Sequence, residues 1–132
     1  LDFNEEKEVG IMGAGKSGNY KNTKGAKTIN GFPTKINPGK QDKHIPSSNN
    51  YQPGKSIISI SKNECQSLID KYAGTGTKIG TNKERVDFGK VIGSYVDPAT
   101  GKKYPTTMGM IHYSKTGTHI VPSTPKNFKG ED

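Results

Sequence analysis

One stretch, SKNECQSLIDKYAG at residues 61–74, limits the folds open to this chain more than any other. Ser61 followed three residues later by Glu64 is a capping-box pair, in which each side chain satisfies a free backbone N–H of the other at a helix start. Cys65, Leu68, Ile69 and Tyr72 then recur at i, i+3, i+4 and i+7, the spacing of one helix face. Gly74 supplies a left-handed stop. The pattern predicts a short amphipathic helix with one apolar stripe, so the remaining elements must provide one complementary face. It also puts Cys65 in the core rather than at a reactive surface. As the only cysteine, it can form neither an intramolecular disulfide nor a cysteine-based zinc site.

The residues after the helix can build that face. Beyond a polar loop, VDFGKVIGSYV reads as a strand with Gly89 and Gly93 as bends or bulges. DPATG is a tight turn, and KKYPTT returns as an edge strand or strand end, because Pro105 has no N–H for a ladder. GMIHYS, KTG and THIVP make a last hairpin. Ahead of the helix, KSIISI is a β-branched run that fits a short strand. The expected architecture is α+β: an N-terminal extended or helical part, then an antiparallel meander of about four strands packed on a helix.

GIMGAGKS at residues 10–17 matches a phosphate-binding loop through Gly10, Gly15, Lys16 and Ser17. That chemistry needs a buried strand leading into the loop and a helix leading out. Residues Asn4 to Glu8 carry four charges and no apolar side chain, and Gly18, Asn19, Asn22 and Gly25 oppose a helix. The match is therefore read as chance within a Gly/Lys linker. From Val9 to about Gln41 neither structural period is sustained. The expected organisation is a linker or extended basic arm over residues 1–39, which could drape over the domain, a functional domain over 40–125, and a tail over 126–132.

Charge is uneven: residues 1–8 sum to −3, residues 9–55 to +7 and residues 56–132 to +4, giving +8. Such a basic chain favours a polyanionic partner, because neutralising phosphates releases counterions and steers association. The 28% hydrophobic content without Trp implies a small core. No apolar run approaches a membrane span and no signal peptide is visible. Leu1 in place of Met points to an excised piece of a longer protein.

Three histidines carry the chemistry. His112 and His119 lie in the last hairpin, where register decides whether they cooperate. A three-residue turn Lys115-Thr116-Gly117 with Gly117 left-handed sets His112 opposite Ile120 and sends the two rings to opposite faces; this is the register the glycine favours. His112, Ser114 and Thr118 then share a polar face suited to proton transfer, and Ile111, Tyr113, His119 and Val121 share the core face. A four-residue loop instead pairs His112 with His119. His44 lies in KQDKHIPSSNNY, where Lys40, Lys43, Asn49, Asn50 and Tyr51 could hold a phosphate and stack on a base. Three scattered histidines and few clustered acids give no metal ligand set and call for no cofactor, which leaves metal-free chemistry on a phosphate ester. RNA suits it, because the ribose 2′-OH is an internal nucleophile.

Taken together, KQDKHIPSSNNYQPGKS, LIDKYAGTG, VDFGKVIGSYVDPATGKKYPTT and GMIHYSKTGTHIVP resemble the polymorphic toxin type 50 domain over about residues 40–122. The resemblance implies the fold of barnase, EndoU, colicins E5 and D and RelE, and a metal-independent ribonuclease that leaves 2′,3′-cyclic phosphate ends, with tRNA a possible substrate. The family's recurring positions fall on His44, Asp87, Lys90, Thr106, Thr107, His112, Tyr113, Ser114, Lys115 and His119. PSSNN departs from the pattern, with Ser47 where a Gly often follows the Pro. The roles expected are acid and base duty for His44 and His112, with His119 as the replacement under the longer loop. Lys90 with Ser114 or Thr107 would stabilise the transition-state phosphate, and Lys43, Tyr51, Arg85, Tyr113 and Lys115 would hold RNA. The implied setting is a monomer delivered into a target cell and opposed by an acidic immunity protein, or a virion-associated module. The alternative function is non-catalytic nucleic-acid binding within a phage structural protein.

Overall fold

The structure, a computed structural model, describes residues 28–129; the Gly10–Ser17 stretch lies outside the described residues. In chain order the elements are β1 (Thr28–Ile29), β2 (Phe32–Pro33), α1 (Pro38–Asp42), β3 (Ile57–Ile58), α2 (Lys62–Tyr72), β4 (Thr77–Ile79), β5 (Lys83–Asp87), β6 (Gly93–Val96), β7 (Lys103–Thr106), β8 (Met108–His112) and β9 (His119–Pro122). The fold is α+β, and its sheets are antiparallel.

The capping box forms as the sequence predicts. Ser61 Oγ accepts the Glu64 N–H at 3.1 Å, the Ser61 N–H donates to Glu64 Oε1 at 3.2 Å, and Gly74 takes φ +88°. Cys65 and Ile69 are fully buried, and burial pushes the Cys65 thiol up to about 12, so it is an inert packing group. They meet Ile58, Val86, Phe88, Ile92, Ile111, Tyr113 and Ile120 in the core.

The strands do not form one meander. They divide into a β1–β2 hairpin, a three-stranded sheet in the order β3-β6-β7, and a four-stranded sheet in the order β4-β5-β8-β9. VDFGKVIGSYV is thus two strands in two sheets. The break falls where Asp87 accepts the Gly89 N–H at 3.0 Å and Gly89 takes φ +75°, turning the chain out of β5. At Gly93 a Cβ would lie 1.9 Å from the Ile57 carbonyl oxygen, so only glycine lets β6 approach β3. β4, read from sequence as a polar loop, is an edge strand exposed at all three positions, and no apolar alternation marks it.

The described part of the expected arm packs on the domain. Ile29, Phe32 and Ile36 rest against the core, Thr34 is buried, and Lys35 and Asn37 are joined to Thr118 of the last hairpin by Asn37 N–H to Thr118 O (2.8 Å) and Thr118 N–H to Lys35 O (2.9 Å). At the other end, Phe128 contacts both Tyr95 and Tyr104 edge-on, and Lys126 pairs with Asp87 at 3.0 Å.

Candidate active site

The last hairpin takes the register in which His112 pairs with His119, not the one the glycine pattern favours. Ser114 and Gly117 exchange both backbone hydrogen bonds at 3.1 Å, with Lys115 and Thr116 at the tip. Gly117 takes φ +123°, the positive φ read for it in the sequence, and has a second purpose that was not read there. A Cβ there would lie 2.9 Å from Lys35 O and 3.0 Å from Asn37 Cβ, so the glycine admits the incoming N-terminal segment against the hairpin. Successive strand residues point to opposite faces. Ile111, Tyr113 and Ile120 therefore face the core, and His112 and His119 share the outer face with Met110, Val121, Lys83 and Arg85. Thr118 is buried and donates to Pro33 O at 2.7 Å, so it leaves the polar face expected for it.

His44 arrives from another part of the chain. Asn37 caps α1 by accepting the Lys40 N–H at 3.1 Å, and Pro38 opens the helix. Gln41, fully buried, then bonds both backbone groups of Ile120: its Nε2 donates to Ile120 O and its Oε1 accepts the Ile120 N–H, each at 2.8 Å. The side-chain amide takes the place of a further strand on the edge of β9. Three residues on, the His44 ring stacks on His119 at a centroid distance of 5.9 Å, and His119 in turn meets His112 at 4.9 Å. His44 Nδ1 lies 2.9 Å from Ser56 O. A carbonyl can only accept, so Nδ1 carries the proton and Nε2 keeps its lone pair when the ring is neutral.

The surroundings are cationic. Lys40 Nζ donates to Ser114 Oγ at 2.9 Å, and Lys83 is the cross-strand neighbour of His112. The ion pairs found among the described residues are Lys62–Asp42, Lys90–Glu64 and Lys126–Asp87, which leave Lys40, Lys43 and Lys83 without a carboxylate partner. Burial, followed by the charges around them, depresses all three histidines: Lys83, His44 and Lys40 act on His112, which falls to about 4, and His112, His44, Lys40 and Lys43 act on His119, which falls to about 3. His44 is lowered chiefly by burial, against the raising effect of its bond to Ser56. The free site at neutral pH thus holds three uncharged imidazoles among lysines. His119 Nδ1 is buried and, among the described residues, without a hydrogen-bond partner.

Other residues anticipated for the site lie elsewhere. Lys90 and Thr107 belong to the opposite end of the sheet. Asp87 pairs with Met108 there, four residues along β8 from His112, or roughly 13 Å. Lys90 pairs with Glu64 at 3.2 Å, and the Gly89 N–H, then Lys126 and the Thr107 hydroxyl, hold the Asp87 carboxyl down at about 2. Thr106 is buried, with its Oγ1 accepting the Met108 N–H at 3.0 Å. Tyr113 is buried and donates to Glu84 Oε1 at 2.6 Å, on the core side. Lys115 is exposed at the hairpin tip and Lys43 is exposed beside His44. Tyr51 is half-buried in the turn that follows, where the Gln52 N–H bonds Lys43 O at 3.0 Å. Arg85 donates to Ser123 Oγ and to Thr124 O.

Of three further residues at the site, Lys40 was expected only to help hold a phosphate from a loop, and Gln41 and Lys83 were given no role. The signal was present for the first two: they precede His44 by four and three residues, one helical turn, but Pro38 and Gly39 made the segment read as loop. Among the described residues no three His, Cys, Asp or Glu side chains are arranged to hold a metal ion, and no helix is long and apolar enough to cross a membrane.

Histidines and lysines from α1, the segment after it and the four-stranded sheet thus gather at one place in a small basic α+β domain, and comparison by sequence places that domain in the class of bacterial toxin modules. The family model described as bacterial toxin 50 matches residues 36–122, more than half of the chain, and the chain belongs to that family. No curated protein matches the chain.

Proposed function

We propose that this domain is a ribonuclease toxin that cleaves RNA by 2′-OH attack without a metal. The observation that carries the reading is the convergence of His44, His112 and His119, with Lys40 and Lys83 beside them and, among the described residues, no acid paired to either lysine. His44 is the general base: its fixed Nδ1–H leaves Nε2 free to take the 2′-OH proton. The 2′ oxygen bonds to phosphorus, and Lys40, oriented by Ser114, meets the charge on the phosphorane with Lys83. The bond from phosphorus to the 5′ oxygen breaks as His112, charged once phosphate has bound, donates its proton to that oxygen. The products are a 2′,3′-cyclic phosphate and a 5′-hydroxyl. His119, between the two rings, holds them apart and in line. Lys90 and Thr107, from the far end of the sheet, become contacts for the RNA backbone in this reading, with Lys43, Tyr51 and Lys115.

The fold associated with this chemistry is the one shared by barnase, EndoU, colicins E5 and D and RelE. In a toxin setting the partner implied is an acidic immunity protein covering Lys40, Lys43 and Lys83. The test is incubation of the purified protein with total RNA in EDTA, with His44→Ala, His112→Ala and Lys40→Ala alongside. Cleavage to cyclic-phosphate ends, reduced about a hundredfold or more by each histidine change, is the expected result. Intact RNA together with salt-sensitive binding would replace the enzyme with a nucleic-acid-binding module.

A further inference from the structure

The outer face of the four-stranded sheet carries a second row beside the histidines. Arg85 pairs with Met110, and Met110 with Val121, so these three side chains stand abreast across β5, β8 and β9. The neighbouring row is Lys83, His112 and His119, two residues along each strand, or about 7 Å away. That is a distance one ribose can bridge between a base and its phosphate. Across the three strands the Arg85 row extends roughly 10 Å, enough for a purine.

The core does not require this row. Val86, Ile111 and Ile120 already bury the inner face, whereas Met110 and Val121 are half-buried apolar groups on the side that carries the catalytic histidines. Arg85, rooted on β5, reaches across the face to Ser123 Oγ and Thr124 O just beyond β9, neither of which neutralises it. A thioether, a branched aliphatic group and a fixed guanidinium together suit a flat ring with an electron-rich face.

We propose that Arg85, Met110 and Val121 form a nucleobase subsite, which receives the base of the nucleotide whose phosphate lies over His112 and His119. The subsite rests on the ribonuclease reading for its orientation, since the phosphate is placed by the lysines of that site. It would make the protein discriminate among bases at one position while the rest of the RNA is held through its backbone.

The test uses 2′-O-methyl oligonucleotides, which lack the attacking hydroxyl and cannot be cleaved. One carries bases throughout, and another of equal length and charge is abasic. Their affinities are compared by fluorescence anisotropy for the wild type, Met110→Ala, Val121→Thr and Arg85→Lys. The wild type is expected to prefer the base-bearing strand by about fivefold or more. Each variant is expected to shrink that preference while leaving the abasic affinity within about twofold, Arg85→Lys because it keeps the charge but loses the planar fork. Val121→Thr nearly preserves shape and guards against a folding defect in Met110→Ala. Equal wild-type affinity for both strands, or a loss in the variants that is the same for both, overturns the subsite. Because no turnover is involved, intact RNA in the cleavage assay would refute the catalytic reading separately, and a base preference lost in the variants would still support the row.

Discussion

Acidification should destabilise this domain through its histidines well before its carboxylates respond. His112 and His119 are held at about 4 and about 3 in the folded protein, chiefly by burial, and rise to about 6.5 on unfolding. The folded pKa is the lower one, so between these values the unfolded chain binds protons that the folded chain refuses. Stability is therefore fully present above pH 6.5 and falls as pH drops toward 4 and then 3. For one such histidine, full linkage between pH 7.5 and 4.5 would cost about 2.7 kcal/mol; partial exposure of both rings reduces the combined expectation to about 2–3 kcal/mol. Asp87 and Glu64, also shifted, are depressed carboxylates whose contribution is lost only below their ordinary range, near pH 4, so the two windows separate. Urea unfolding at pH 7.5, 5.5 and 4.5, followed by circular dichroism, measures the loss. The double variant His112→Gln with His119→Gln should lose much less over the same range. An unchanged midpoint at pH 4.5 in the wild type, or an equal loss in the double variant, would refute the assignment of the effect to these rings.

Three further outcomes follow from single contacts. Gln41→Leu leaves the Ile120 N–H and C=O without their partner and should cost about 2–4 kcal/mol by urea unfolding, with a fall in RNA cleavage as His44 loses its support. Glu84→Gln should cost about 1–3 kcal/mol, because the buried carboxylate accepts from Gly74 N–H, Gly76 N–H and the Tyr113 hydroxyl at once, and an amide offers only one acceptor oxygen. Gly93→Ala should destabilise by about 2 kcal/mol or more, since its Cβ must displace the Ile57 carbonyl; thermal unfolding would read it, and an unchanged midpoint would mean that β3 yields freely.

What could be read from the sequence was local. The helix from Lys62 to Tyr72 was legible because its cap, stripe and stop lie within fourteen residues. Sheet membership was not, because Gly93 is a glycine on account of Ile57, far away in the chain. The hairpin register failed because a positive-φ glycine at 117 fits more than one loop length, and the Lys35 and Asn37 that also press on it are far away in the chain. All three histidines could be named as candidates from their chemistry alone. That they meet depends on Gln41 and the pairing of β8 with β9, and neither leaves a periodic trace.

The Gln41 clamp also orders events in time. It joins residues 79 apart in the chain, whereas α2 needs only its own neighbours. Closing so long a loop is slow and comes after local structure, so His44 reaches His119 late in folding. On the ribonuclease reading, a chain still emerging or unfolded has no assembled histidine cluster, and harmlessness before completion is built into its connectivity. In a refolding time course, cleavage activity returning together with the first helical signal would contradict that order.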